Sequence, residues 1–398
     1  MNTLVYPRER TLGTLTLVLG LLAWLGLILG TFGGALIGLA VGFVFYLFVQ
    51  SALVSYLKGN GVELSQKQFP DLYAQFISCC ERLQISTPPQ AYILNGDGGM
   101  NAFATKFLGT QYVVLLSDVV DAMDQHPDGV RFYIGHELGH LRMKHLTGAL
   151  LRWPVLWLPL LGAAYSRARE STCDRHGLAC CATPEGAARS LAALSAGSQR
   201  WKQLDVNAYT QQTHHTTGFW MSLHELTAGY PWLTKRAARV LNTEAPMPKR
   251  NPFAYLLAVF LPYAGRLGAG FGLLVMLYIA GVLAAVALPA YTNYKARVVL
   301  SSVIIQSKVA REAIGNYYTE KHEIPPTLQA AGLPAQLPDG TPLTLNAENM
   351  VLTAETKSGE LVFTPQAENT GIVTWTCGAG EKLAPEKLPP ACVDGSVL

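Results

Sequence analysis

Charge is what this sequence has least of. Only 14% of its 398 residues are Asp, Glu, Lys or Arg, while 50% are hydrophobic. Soluble domains carry roughly 25% charged residues. The deficit argues against a chain solvated throughout by water and for a membrane protein. The formal net charge of +3 is small and no Lys/Arg run stands out in the sequence, so no polyanion groove is expected and nucleic acid is not an expected partner. Internal repeats and low-complexity tracts are also missing. Cysteine is sparse, with seven in all. Cys79, Cys80, Cys173, Cys180 and Cys181 are odd in number and mostly adjacent, a poor disulfide framework that suits a reducing compartment. Cys377 and Cys392 stand apart near the end of the chain, where a periplasm-like compartment would join them.

What the chain does have is long apolar runs. Leu12 to Leu57 carries no charge. It exceeds one span of about 20 residues and is far longer than a signal-peptide core, so it predicts a helical hairpin turning at Thr31-Phe32-Gly33-Gly34. Gly268 to Pro289 predicts a single span, and the shorter Phe253 to Ala264 an interfacial segment or one paired with that span. Leu146 to Tyr165 carries Arg152 and two prolines, which suits a buried or membrane-dipping helix better than a full crossing. Arg8, Arg10, Lys58, Lys249, Arg250 and Arg266 fall on one side if the hairpin returns and the later span crosses once. The positive-inside rule then places residues 58 to about 266 in the cytoplasm and the tail across the membrane, although Lys295 and Arg297 weaken the bias. The expectation is a multi-pass protein of a bacterial inner membrane.

Between the apolar runs, residues 66–84 read as an amphipathic helix with Phe69, Leu72, Tyr73, Phe76 and Ile77 on one face. Residues 91–94 and 112–116 read as short strands around the Gly-rich turn at 95–99. A turn at Pro127-Asp128-Gly129 precedes a helix, residues 168–202 predict another, and Lys235 to Asn242 a third. From Tyr291 the pattern predicts a helix to about Tyr318, followed by Pro-rich turns and short strands.

The helix after Gly129 carries His136-Glu137-Leu138-Gly139-His140. Histidines four apart lie on one helical face, a turn apart, and can take two corners of a zinc tetrahedron. Glu137 can then act as general base on a water polarised by the metal. Such a motif occurs by chance, so a third ligand decides. A metzincin would need His at position 146, which is Leu146, and Gly at 143, which is Met143; that class is excluded. Glu170 on a downstream helix qualifies instead, its alternative being a solvated helix charge paired with Arg167 or Arg169. Asp174, one turn further, could hold the tautomer of a ligand histidine. His145, His176, His214, His215 and His224 have no spacing partner and read as core or surface residues. The His214-His215 pair lies in a polar stretch that reads as a loop.

With these motifs, residues 60–245 resemble the HtpX-like and CAAX-prenyl-protease family of membrane zinc metallopeptidases, the gluzincins. The resemblance is carried by Asn101-Ala102-Phe103-Ala104, by His136 to His140, by Glu170 and Asp174 in a Ser-Arg-x-Arg-Glu context, and by Pro231 to Arg236. It implies one Zn²⁺ per chain held by His136, His140 and Glu170, and endopeptidase activity. It also implies a substrate strand lying along a sheet edge near Asn101 to Ala104. Two positions depart from the family. Tyr230 stands where His is common, and a phenol can still donate to an oxyanion; the alternative is a packing Tyr beside a turn proline. Cys173 stands where Ala is usual and is expected to pack as a small hydrophobe. Arg236 matches a family Arg and could pair with a site carboxylate, or lie at the surface.

The run from Ile279 to Tyr291 resembles the N-terminal helix of type IV pilins, and the ending with Cys377 and Cys392 resembles a pilin head with its disulfide loop. Gly272 occupies the place of the pilin membrane Glu, and no basic leader with a Gly-Phe junction precedes it in register. A fixed module, or a tail merely stapled by its Cys pair, is therefore expected rather than a filament subunit.

The expected fold class is α+β. A transmembrane hairpin (residues 1–59) precedes a mainly helical zincin domain with a small sheet (60–248). Membrane segments (249–294) then lead into a pilin-like head (295–398). The expected function is a membrane-anchored zinc endopeptidase, by resemblance in membrane-protein quality control or processing. The expected partners are a protein or peptide substrate, membrane lipid, and a pilus-type or periplasmic partner for the head. The alternative is a non-catalytic pilus-associated scaffold that retains a peptidase fold. A prenyl-type CAAX peptidase is disfavoured because too few spans are present to enclose a lipid-substrate chamber.

Overall fold

The computed structural model describes residues 4–265, 268–367 and 372–393; Arg266, one of the flanking charges above, lies outside them. The described chain is mostly helical with two four-stranded sheets. It divides into two compact units, Met1–Leu277 and Tyr278–Leu398.

The first unit opens with α1 (Pro7–Gly30) and α2 (Gly34–Asn60), joined by a turn at residues 31–33. Both are apolar on every side, and such helices must be buried in protein or in lipid. Little of either is buried by protein. By length and composition, α1, α2 and the segment Gly270–Lys321 are able to cross a membrane.

A short β1 (Val62–Glu63) and the amphipathic α3 (Pro70–Arg82) follow. Next come β2 (Gln90–Leu94), β3 (Ala102–Phe107) and β4 (Thr110–Leu116). The sheet order is β1-β2-β4-β3, with β2 and β4 parallel and β3 antiparallel to β4. The stretch expected to hold one turn between two strands thus contains a further strand at the sheet edge. Helices α4 (Ser117–Met123), α5 (Pro127–Arg142) and α6 (Ala149–Leu156) come next. The expected single helix over Leu146 to Tyr165 is broken after α6, where Leu160 adopts φ 63° before α7 (Leu161–Cys180) begins. The expected helix over 168–202 is also two, because Thr183 caps α8 (Pro184–Arg200) by accepting from the Gly186 N–H.

Four short helices complete the unit: α9 (Val206–Gln211), α10 (Phe219–Thr227), α11 (Leu233–Leu241) and α12 (Pro252–Ala258). The main core packs Phe76, Leu83, Val113, Leu115, Phe132, Ile134, Leu138 and Trp201 between the sheet and the helices. It buries α5 almost completely.

Helix α13 (Gly268–Gln306) leads into the second unit, and α14 (Lys308–Lys321) follows after a break at Ser307. An antiparallel sheet of β5 (Leu343–Leu345), β6 (Leu352–Thr356), β7 (Gly359–Ala367) and β8 (Val373–Ala379) packs its own core around Leu300, Ile314, Leu352, Phe363 and Trp375. Cys377 on β8 is disulfide-bonded to Cys392 in α15 (Pro390–Val393). The five remaining cysteines are buried and unpaired.

Candidate metal centre

The site forms where α5 and α7 pack closely at Gly135 and Gly139. A Cβ on Gly135 would lie 2.7 Å from Cys180 Sγ, and one on Gly139 would lie 3.2 Å from Cys173 Cα. These glycines permit the close approach that sets His136 and His140, one turn apart on α5, against Glu170 and Asp174, one turn apart on α7.

His136 Nε2 lies 3.3 Å from Glu170 Oε2, and His140 Nε2 lies 3.7 Å from Glu170 Oε1. Glu170 Oε2 is buried and has no hydrogen-bond partner. Two imidazole nitrogens and a buried carboxylate converging in this way form a donor set that fits a divalent cation such as zinc. His136, His140 and Cys173 also bring ligand atoms within 4.8 Å of one another. The Cys173 thiol is wholly buried, and burial together with Glu170 and Glu137 pushes it well above its usual range. In the metal-free site the thiol is therefore protonated and Glu170 anionic, and it is the Glu170 carboxylate whose two oxygens approach the two imidazole Nε2 atoms.

The carboxylates are divided by environment. Burial alone would raise Glu170, yet His136 and Arg236 bring it down to about 2. Asp174 is likewise held far below its usual range, against the cost of burial, mainly by Arg236. Arg236 donates to Asp174 Oδ2 at 2.9 Å through Nε and to Oδ1 at 2.7 Å through Nη2. Asp174 Oδ1 in turn lies 3.0 Å from His136 Nδ1, which turns the Nε2 of that imidazole toward Glu170. Burial and nearby Glu170 instead push Glu137 up to about 7, with His136, Ala104 and Arg236 opposing. A carboxylate poised near neutrality is suited to taking and returning a proton.

Strand β3 brings Ala102, Phe103 and Ala104 to the sheet edge, and the Ala104 backbone N–H bonds to Glu137. Asn101 precedes the strand, its carbonyl accepting from the Leu116 N–H. Tyr230, partly exposed in the loop between α10 and α11, has the Arg236 guanidinium 5.9 Å from its ring centre. Apart from Asn101, which precedes β3, every first-unit site residue named from the sequence belongs to α5, α7, β3 or the stretch around α11.

One group was missed. His145, read above as a core or surface residue without a spacing partner, is buried, with Nδ1 3.0 Å from His140 Nδ1 and Nε2 2.8 Å from Glu9 Oε1. Glu9 belongs to α1, more than a hundred residues away, so no sequence spacing could have revealed the pair. The only local signal was a third His shortly after the motif.

Residues 66–159 match the family model for peptidase family M48. The match includes His136, Glu137 and His140 and stops before Glu170. The chain is also similar to type IV pilins. It is 29% identical over 149 residues to the type IV major pilin protein PilE1 of Neisseria gonorrhoeae, covering 31% of this chain and 90% of the relative. A fimbrial protein of Neisseria meningitidis serogroup A is 31% identical over 117 residues, covering 27% of this chain and 68% of that protein. The fimbrial protein EcpC of Eikenella corrodens is 29% identical over 132 residues, covering 30% and 85%.

Proposed function

This chain carries a peptidase family M48 region and, over about 30% of its length, belongs to the type IV pilins, and we propose that it is a membrane-anchored zinc endopeptidase. The observation that carries the proposal is the approach of His136 Nε2 and His140 Nε2 to the two oxygens of buried Glu170, with Glu137 on the same helix. His136, His140 and Glu170 would hold the zinc, which when bound supplies Lewis-acid polarisation of the scissile carbonyl and acidifies a water.

The residues of the chain then have separable tasks. The free edge of β3 takes a substrate segment as an added strand at Asn101 to Ala104, which orients the peptide bond. Glu137 removes a proton from the attacking water and delivers it to the leaving amine. Asp174 and Arg236 fix the His136 ring, and Tyr230 donates its hydroxyl to the developing oxyanion. The substrates are proteins or peptides, and the working role is quality control or processing of membrane proteins. The chain lies in a bacterial inner membrane as a multi-pass protein, with the peptidase region cytoplasmic and the pilin-like head periplasmic, where it docks a pilus-type or periplasmic partner.

Metal analysis and proteolysis of an unfolded substrate by the purified protein and Glu137→Gln test the chemistry. Bound zinc in both, with cleavage only in the parent, is expected, the loss being at least about 10²-fold. Zinc without cleavage in either would favour the non-catalytic pilus-associated scaffold. Absence of zinc would overturn the metal site. A periplasm-active reporter fused after Lys249 is expected to be silent, and one fused at the C-terminus active.

A further inference from the structure

A cavity of about 860 Å³ lies on the far side of the Asp174–Arg236 pair, and its lining includes none of His136, Glu137, His140 and Glu170. Eight of its lining side chains are cationic and only Asp174 and Glu225 are acidic. Both acids are already engaged. Asp174 holds Arg236, and Glu225 Oε2 accepts from Lys235 at 2.6 Å and from Arg250 at 3.0 Å. Arg167 donates to the carbonyls of Glu225, Leu226 and Ala228.

That leaves the cations toward α1. Among the described residues, Arg8, Arg239 and Lys249 form no ion pair with a carboxylate. Arg175 and Arg239 lie 5.4 and 5.5 Å from the centre of the Tyr6 ring. Burial would raise the Tyr6 phenol, but Arg239, Arg8 and Arg175 bring it below its usual range. This corner of the protein is electropositive and short of anions.

The other lining groups set the depth of the cavity. Thr11 and Leu12, in the first turns of the membrane-length α1, line it together with Tyr255 of α12. The neighbouring Phe253, Leu256 and Phe260 are exposed to solvent, an apolar face fitted to the acyl boundary. Cations at the end of a span, with apolar groups one turn deeper, match the headgroup and first methylenes of an anionic lipid. A soluble phosphate would leave Leu12 and the α12 face unused. We propose that this cavity binds the phosphate-bearing headgroup of an anionic phospholipid. The proposal rests on α1 entering the membrane and not on peptidase activity.

The test is lipid retention by the full-length protein released from nanodiscs of equal phosphatidylglycerol and phosphatidylcholine, read by native mass spectrometry. Incorporation into nanodiscs reports the membrane anchor separately from lipid preference. The parent is expected to retain phosphatidylglycerol roughly tenfold over phosphatidylcholine, with Arg239→Gln/Lys249→Gln and Arg8→Gln/Lys249→Gln each losing most of that preference. Lys58→Gln/Lys67→Gln, which removes two cations outside the cavity, is expected to keep it. Equal retention of the two lipids by the parent, or equal loss in cavity and control variants, would overturn the site. Displacement of phosphatidylglycerol by inorganic phosphate alone would overturn the lipid assignment in favour of a soluble phosphate.

Discussion

Glu9 Oε1 lies 2.8 Å from His145 Nε2, and His145 Nδ1 lies 3.0 Å from His140 Nδ1. The first turn of a membrane-length helix therefore reaches a candidate metal ligand through one buried imidazole. His136 has the equivalent support from Asp174 and Arg236, so each ligand histidine is oriented by a group outside the motif.

Removing that support is expected to weaken the metal site. His145→Ala and Glu9→Ala should each lower zinc affinity by roughly 10–100-fold, the usual cost of losing a group behind a ligand histidine. Competition with a chelator measures it. Parent-like affinity in both variants would reduce the contact to packing between α1 and the motif.

Zinc binding is expected to release a proton from His136. Against the cost of burial, the Asp174 hydrogen bond and the nearby Glu170 carboxylate push its imidazole up to about 10, so the metal-free site holds it charged at neutral pH. A ligand imidazole must give up that proton, and apparent zinc affinity should rise with pH toward about 10. Calorimetry in buffers of different ionisation enthalpy should report a net release near pH 7. The same shifts set the stability of the metal-free protein. The His136 contribution is complete below 6.5 and lost as pH rises through about 10. That of Glu170 is present above 4.5 and lost as pH falls through about 2. Thermal unfolding of chelator-treated protein should show both losses.

Tyr230→Phe separates an oxyanion donor from a packing residue. Loss of a donor used only in the transition state should lower kcat by roughly 10²-fold and leave KM in place. An unchanged kcat would leave the ring, beside the Arg236 guanidinium, as a packing group.

The second unit should depend on its crosslink. Cys377 and Cys392 are 15 residues apart, and closing a loop of that size stabilises a fold by about 3 kcal/mol on the chain-entropy model. Cys377→Ser/Cys392→Ser should therefore unfold at lower temperature, as should the parent under reductant. Equal melting of oxidised and reduced protein would contradict this.

The pairing of those cysteines was readable before any fold was known, because both sit within one short, turn-rich stretch. The hairpin was equally legible, since an uncharged run of that length has few other solutions in water. His136 and His140 were placed by helical period alone. Glu170 and Asp174 required a second helix whose start was misjudged, because the break at Leu160 is a left-handed backbone turn that composition does not signal. Alternation does not mark β3 as a strand, because its residues are mixed in size and polarity, although the resemblance put a sheet edge near Asn101 to Ala104; pairing with β4 makes it one.

The sequence by itself determined the chemistry of the motif and the apolar spans, since both depend on residue identity at short spacing. The tertiary structure alone decided that Glu9 supports His140 through His145 and that cations scattered from Arg8 to Arg250 line one cavity. The reason is physical. Local period fixes which side chains share a face, but the meeting of distant segments depends on close helix packing, here permitted by Gly135 and Gly139 between α5 and α7.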